Sequence, residues 1–480
     1  MKLSSTAQSR LIGSLVLALA GALFAWDLFG RFERLAHPGF ALPVVVAASC
    51  LALVAYAIFA LAICRWHRPF LVALAAAALV FLPARLFNER PPPKILIVSV
   101  EGLRRDRMSL FGANNETTPQ LERWFHSGRG TVLFQDANSH GSTRQAALAA
   151  LLTGRAIDTD AKWLGDFLPD RTSRVATTFG TTASEPALAA DDFLELPDAP
   201  TAVQLEAFRR WFQAAPSNSV TLLEYAAMLP IGEPEPRFDV FVSEGADPPA
   251  AFRDFGEREA IDPITYLHAT QHYDGSVLEM DAFLGRMLAD MELRGELDNT
   301  LVVFTAPHGW AYREHGAYGT HGRPFDEIVG VPLVIRFPSP TRVPALRPMQ
   351  RRIQAPTQHA DVAATLCSVL GAEVPGLVGR DLSRAAFRDE PLAECGIPLA
   401  SEAAAGPITG MRLGDWKLFL VPDARGQLTE ELWRLSPTRF DLWVRPEDGA
   451  EALGRLRREF ERAFGESPAS NLARAATAAR

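Results

Sequence analysis

Two polar residues stand directly behind apolar runs of the kind that buried strands use. Glu101 follows ILIVSV at residues 95–100, and His308 closely follows LVVFTA, inside the segment TAPHG. In open α/β sheets, ligands bind outside the carboxyl ends of the strands, so an acid and an imidazole at two such ends are candidates for one site. Each alone is equally well a loop residue or a satisfied polar group. Their matched positions make convergence the sharper expectation. A third element is SHGSTRQAALAALLTGR, in which Ser142 or Thr143 precedes an Ala- and Leu-rich run that favours helix. A hydroxyl there caps the helix. It also stands beside unsatisfied backbone N–H groups and the positive end of the helix dipole, which suits a nucleophile attacking an anionic ester. The two readings are compatible, because a capping hydroxyl can also be a nucleophile.

The elements that must position these residues follow from periodicity. KILIVSV is a continuous β-branched run suited to a parallel strand buried on both faces. TVLFQDA (131–137), FDVFVS (238–243), TLVVFTA (300–306) and VPLVIRF (331–337) repeat the pattern and alternate with helical stretches. The expected fold is α/β: a doubly wound, mainly parallel sheet with helices on both faces. The spacing of Val277, Met280, Leu284, Met287, Leu288 and Met291 predicts a helix over about Pro263 to Arg294, stopped by Gly295. GMRLGDWKLFLV and ELWRLSP read as strands of a small C-terminal antiparallel subdomain, closed by the amphipathic helix GAEALGRLRREFERAFG.

Composition adds an anchor. Of the 480 residues 48% are hydrophobic, and the excess lies at one end in the apolar stretches Leu11–Ala25, Ala41–Cys64 and Phe70–Leu82. The second, without a charge, is long enough to cross a hydrocarbon core of about 30 Å. The first also reads as a signal peptide, with small residues for cleavage in ALFA. Either way the remainder emerges on the same side. Lys2 and Arg10 begin inside, so three transmembrane helices place the large domain in the periplasm or outside the cell. The expected organisation is a multi-pass membrane anchor over 1–90, a Pro-rich linker over 91–94, an α/β core over 95–375, the C-terminal subdomain over 376–465 and a disordered tail over 466–480. Residues 95–480 are acidic, at about −14 against about +6 for the first 94, which argues against a nucleic acid partner. Cys50 and Cys64 lie in the second span; Cys367 and Cys395 allow a disulfide without implying one.

With these residues in place, the chain resembles the sulfatase branch of the alkaline phosphatase superfamily, a group that includes the lipoteichoic acid synthases and phosphoethanolamine transferases. The resemblance covers most of residues 95–440 and rests on blocks in order: ILIVSVEGLRRDRMSLFG, TTPQLERW, LLTGR, GELDNTLVVFTAPHG, REHGAYGTHGRPFDEIVGVPLVIRFP, QHADVAATLCSVLG and GDWKLFL. It implies that Glu101 is a metal-binding acid, as in the synthases and transferases, where true sulfatases place Asp. It implies Thr143 as nucleophile and metal ligand, ten residues before Thr153, with Ser142 one step away. No cysteine lies in this stretch, so a formylglycine nucleophile made from cysteine is excluded. His308 matches a metal-binding His, and His321 falls where a basic residue often contacts the transferred group.

Two departures oppose an active site. The Asp expected before His308 is Pro307, which offers no ligand atom, and the segment EGADPPAAF has Asp247 where a His before a Pro is usual. Glu314 or His315 are the alternates that would complete the metal shell. The implied cofactor is one divalent ion, Zn, Mn, Mg or Ca, bound weakly or not at all because of Pro307. The expected function is a membrane-anchored, metal-dependent hydrolase or transferase acting on a sulfate or phosphate ester, of a lipid or an envelope glycan. The alternative is a degenerate member of the fold that binds or scaffolds.

Overall fold

The computed structural model describes residues 93–127, 130–155, 172–178, 192–196, 201–225, 234–245, 261–338, 352–370, 376–388 and 390–465. The three apolar N-terminal stretches, Asp247 and the 466–480 tail lie outside the described residues. Among the described residues no helix is long and apolar enough to cross a membrane.

The first strand, β1 (Lys94–Val100), is buried along six of its seven residues, as a β-branched run flanked by other strands on both sides must be. The chain continues through β2 (Thr131–Phe134), β3 (Ala137–Asn138), β4 (Thr172–Thr178), β5 (Asp192–Glu195), β6 (Ser219–Tyr225) and β7 (Thr300–Thr305). Next come the two-residue strands β8 (Ala311–Tyr312), β9 (Tyr318–Gly319) and β10 (Gly330–Val331), then β11 (Leu333–Arg336), β12 (Arg352–Ile353) and β13 (Thr357–Gln358). The main sheet has the order β12-β2-β11-β7-β1-β6-β4-β5. Its centre is parallel, with β1 paired to both β6 and β7, while β11 runs antiparallel to β7 and β2. The expected mainly parallel α/β sheet is therefore present, with one reversed strand.

Three expectations differ in detail. FDVFVS forms turns, not a strand. Val240 there is 63% exposed, and the segment follows Pro234 and Pro236, so it has neither a buried face nor an unbroken row of donors. The strand beside β1 is instead SVTLLEY, β6. Both TVLFQDA and VPLVIRF split in two: Pro332 has no N–H to donate, and the ladder passes from β10, paired with β3, to β11, paired with β7.

The long helix forms as Pro263–Met280, a π-helical turn over Asp281–Gly285, and Arg286–Leu293. Its N-cap is Asp262, which accepts from Ile264 N and Thr265 N. The π turn sits where a second helix, Pro119–Ser127, abuts it. The Asp281 carboxylate accepts from Gln120 N at 2.7 Å and Leu121 N at 2.8 Å, capping that neighbouring helix. Gly285 permits the approach, since a Cβ there would lie 2.6 Å from the Gln120 Cβ.

The C-terminal subdomain is a five-stranded antiparallel sheet: β14 (Ile397–Ala403), β15 (Gly406–Leu413), β16 (Trp416–Pro422), β17 (Leu428–Leu435) and β18 (Asp441–Val444). The helix Ala450–Phe464 lays Leu453, Leu456 and Phe460 on one set of its side chains. Another set packs against Phe325, Ile328 and Val329 of the core. A buried ion network reinforces this junction. Arg412 pairs with Asp136 at 2.6 Å, Arg105 with Asp326 at 2.7 Å, and Arg439 contacts both acids. These attractions hold Asp326 well below the usual carboxylate range against the desolvation that opposes them.

Candidate active site

At the end of β1 the chain turns sharply. Glu101 N donates to Tyr225 O of β6 at 2.9 Å, and Gly102 takes a φ of 76° that only glycine adopts without strain. The Tyr273 hydroxyl clamps the turn, donating to Gly102 O and accepting from Arg104 N, both at 2.8 Å. The Glu101 side chain is left at the carboxyl edge of the sheet, 18% exposed.

The neighbouring strand β7 delivers His308 to the same edge. Its ring is buried, with Nδ1 2.9 Å from Gly309 O. A carbonyl only accepts, so Nδ1 carries a proton and Nε2 is the ring atom turned toward Glu101. Nε2 lies 3.8 Å from Glu101 Oε1. That is too long for a hydrogen bond and leaves room for a cation between the two. Metal bonds of about 2.0–2.2 Å to imidazole and carboxylate can span such a gap, and a second-shell carbonyl on Nδ1 is the usual orienting partner. Pro307 is buried and contributes no ligand atom. Among the described residues no group of three or more His, Cys, Asp and Glu side chains is arranged to hold an ion. The donor set thus fits two corners of a divalent shell.

Thr143 is the N-cap of the helix Arg144–Thr153, and its side chain accepts from Ala146 N at 3.3 Å. Ser142 is 1% exposed, and its Oγ makes no hydrogen bond. One contact ties the start of this helix to the strand beside β1. The Arg144 guanidinium grips Glu224 through both oxygens, with Nε 3.0 Å from Oε1, and Glu224 stands in register with Ser99 of β1. His359 meets the Thr305 hydroxyl at 3.2 Å. Burial pushes the His359 pKa down to about 3 and that of the neighbouring His140 to about 4, so both rings are neutral struts.

Neither expected alternate ligand joins the pair. Glu314 binds the Arg104 guanidinium and accepts from Tyr312 N at 2.6 Å, so both its oxygens are committed. His315 is stacked between Phe325 and Phe440 at 4.0 and 4.1 Å, with Nδ1 on Glu327 at 2.6 Å and Nε2 on Asp441 O at 2.9 Å. His321 is exposed on the loop after β9. Arg144, Glu224 and Tyr273 escaped the sequence reading. The available signal for Glu224 was an acid near the end of the apolar run SVTLLEY.

The Sulfatase family model matches residues 93–372. The N-acetylglucosamine-6-O-sulfatase of Bacteroides thetaiotaomicron is 32% identical over 110 residues, 23% of this chain and 18% of that protein. The steryl-sulfatase of Mus musculus is 36% identical over 128 residues, 23% of this chain and 19% of that protein. The chain therefore spans about a fifth of the length of these relatives. Among solved structures, the phosphonate monoester hydrolase of Agrobacterium radiobacter aligns with a TM-score of 0.59 over 78% of this chain and 95% of that one, at 18% identity. At that identity the likeness is one of fold.

Proposed function

The chain belongs to the sulfatase family, and from that premise we propose that it is a membrane-anchored, metal-dependent hydrolase or phosphoryl-type transferase of sulfate or phosphate esters. The domain works outside the cytoplasm, and the ester belongs to a lipid or an envelope glycan; the sulfated-sugar and steroid specificities in the relatives' names agree with either. The observation that carries the reading is the 3.8 Å approach of His308 Nε2 to Glu101 Oε1.

In this reading Glu101, His308 and the Thr143 hydroxyl hold one divalent ion. When bound, it supplies charge neutralisation and a lowered nucleophile pKa. The rest is the work of the chain. The helix Arg144–Thr153 presents its N-terminal amides to the anionic group, and the Thr143 oxygen bonds to sulfur or phosphorus while its hydroxyl proton passes to water. The bond from sulfur or phosphorus to the ester oxygen breaks, that oxygen takes a proton from water and leaves as the alcohol, and water or an acceptor alcohol then displaces Thr143 and returns its proton. His321 is proposed to contact the transferred group.

Pro307 favours a second reading, a member of the family that has lost the chemistry and binds or scaffolds. Incubation of the purified chain with aryl sulfate and aryl phosphate, followed by peptide mass spectrometry, separates the two. The enzyme reading expects turnover and a modified Thr143, with Ser142 as nucleophile if the mass shift falls there. Neither turnover nor modification supports the scaffold.

A further inference from the structure

We infer that Ser401, on the first strand of the C-terminal sheet, is a positioning residue of the active site: it sets the His321 loop against the loop that carries the nucleophile. This rests on the roles proposed above for Thr143 and His321. The element common to both loops is β14. Its backbone edge away from β15 holds the residues just before Thr143. Ala400 N donates to His140 O at 2.8 Å, and Ser142 N donates to Ala400 O at 3.1 Å. The His140 ring adds a third tie, with Nδ1 donating to Pro398 O at 3.0 Å.

The side chains of the same strand hold the second loop. Alternate residues of a strand share a face, so Ile397, Leu399 and Ser401 point the same way. Ile397 and Leu399 are buried in one cluster with Phe325, Ile328 and Val329, the segment that follows His321. Ser401, itself buried, donates its hydroxyl proton to Gly322 O, the carbonyl next to His321. Arg323 grips both carboxylate oxygens of Glu431 on β17. The two residues after His321 are thus fixed to the C-terminal sheet while the His321 side chain stays exposed.

Ala400 and Ser401 are adjacent, so the Ser142 amide and the Gly322 carbonyl are bound to neighbouring residues of one strand. The edge of β14 fixes one loop and its face fixes the other, and the separation of the two is set by the strand. A hydroxyl is what the position requires. The face begins with Ile397 and Leu399, and burying a polar side chain beside them costs free energy that the bond to Gly322 O offsets. Removing the hydroxyl takes this donor from Gly322 O and loosens the His321 loop. A misplacement of about 1 Å costs a positioned group on the order of 100-fold in rate.

The test is a double-mutant cycle on the full chain with Ser401→Ala, His321→Ala and both together. It is read as kcat and KM on aryl sulfate and aryl phosphate, and as calorimetric affinity for tungstate, a tetrahedral dianion that stands in for the transferred group. The expected result is that Ser401→Ala lowers kcat roughly 10-fold with a smaller change in KM, and costs nothing further once His321 is replaced. Urea melts record any cost to folding, which persists in the His321→Ala background and so cannot imitate the cycle. Ser401→Thr keeps the hydroxyl and should retain activity; a fall as deep as that of Ser401→Ala, with a wild-type melt, overturns the inference. Equal losses in both backgrounds, or no loss in either, overturn it while the proposed function stands. Absence of turnover in the wild type overturns the proposed function, and the cycle in tungstate affinity then decides alone. A loss that vanishes in the His321→Ala background keeps the positioning role, and additive or absent losses overturn it. A wild type that neither turns over ester nor binds tungstate overturns both.

Discussion

His308 Nε2 and Glu101 Oε1 face each other across 3.8 Å at the ends of two adjacent parallel strands, with the His308 Nδ1 proton already committed to Gly309 O. The pairing makes the site readable as half of a metal centre, and it also fixes what is missing. The other half of the expected carboxylate–histidine pair on β7 is Pro307.

Pro307→Asp should tighten binding of a divalent ion on the order of 100-fold, equivalent to about 2.7 kcal/mol. Losing even an outer-shell partner costs 10- to 100-fold in affinity, and a direct ligand costs at least the upper end of that. Asp imposes no fixed φ, so the strand end accepts it. Calorimetric titration of both forms checks this. No gain in the variant would mean that the strand end no longer has the geometry the ligand needs.

Glu224→Gln should lower kcat on the order of 100-fold with a smaller change in KM, because it loosens the grip that places the Thr143 helix at the sheet edge. A misplacement of about 1 Å has that effect on positioned groups. The partner Arg144 is largely buried, at 18% side-chain exposure, so the variant should also unfold at lower denaturant. Steady-state kinetics and urea melts on the same preparation separate the two effects. An unchanged kcat with an unchanged melt would show that the pair does not position the helix.

The fold was legible where pattern and burial agree. β1 and β7 announce themselves as continuous apolar runs, which is why Glu101 and His308 were found together. β4 escaped because TSRVATT is polar at five of its seven positions. Its Arg174 is buried with its guanidinium over Trp211 and on Asp192, contacts that no local pattern encodes. Glu314 and His315 looked like spare ligands because type and position are visible in a sequence, whereas their commitment to Arg104 and to Glu327 is not. Pro307 was visible from the start, and its consequence is a matter of measurement.

His315 should make stability fall as pH rises. Its two ring nitrogens face a carboxylate and a carbonyl, both acceptors, so the folded state holds the imidazolium. Burial opposes this charge, but Glu327 and Asp441 outweigh the burial and raise the pKa above the ordinary 6.5. A raised folded-state pKa gives a contribution fully present below about pH 6.5 and lost as pH climbs through the folded value. His315→Phe keeps an aromatic ring between Phe325 and Phe440 and removes the charge. Urea unfolding from pH 5.5 to 8.5 should show the wild type's advantage over the variant shrinking with pH. A constant difference would mean that the ring is neutral in the folded protein.

The most direct test of the account is a divalent-ion titration of the full chain, comparing wild type with His308→Ala and Glu101→Gln by calorimetry after chelator treatment. The account predicts one weakly held ion per wild-type chain, and at least roughly 10- to 100-fold weaker binding in each variant. Equal binding in all three forms would contradict it, since the pair at the sheet edge would then not be the site that holds the ion.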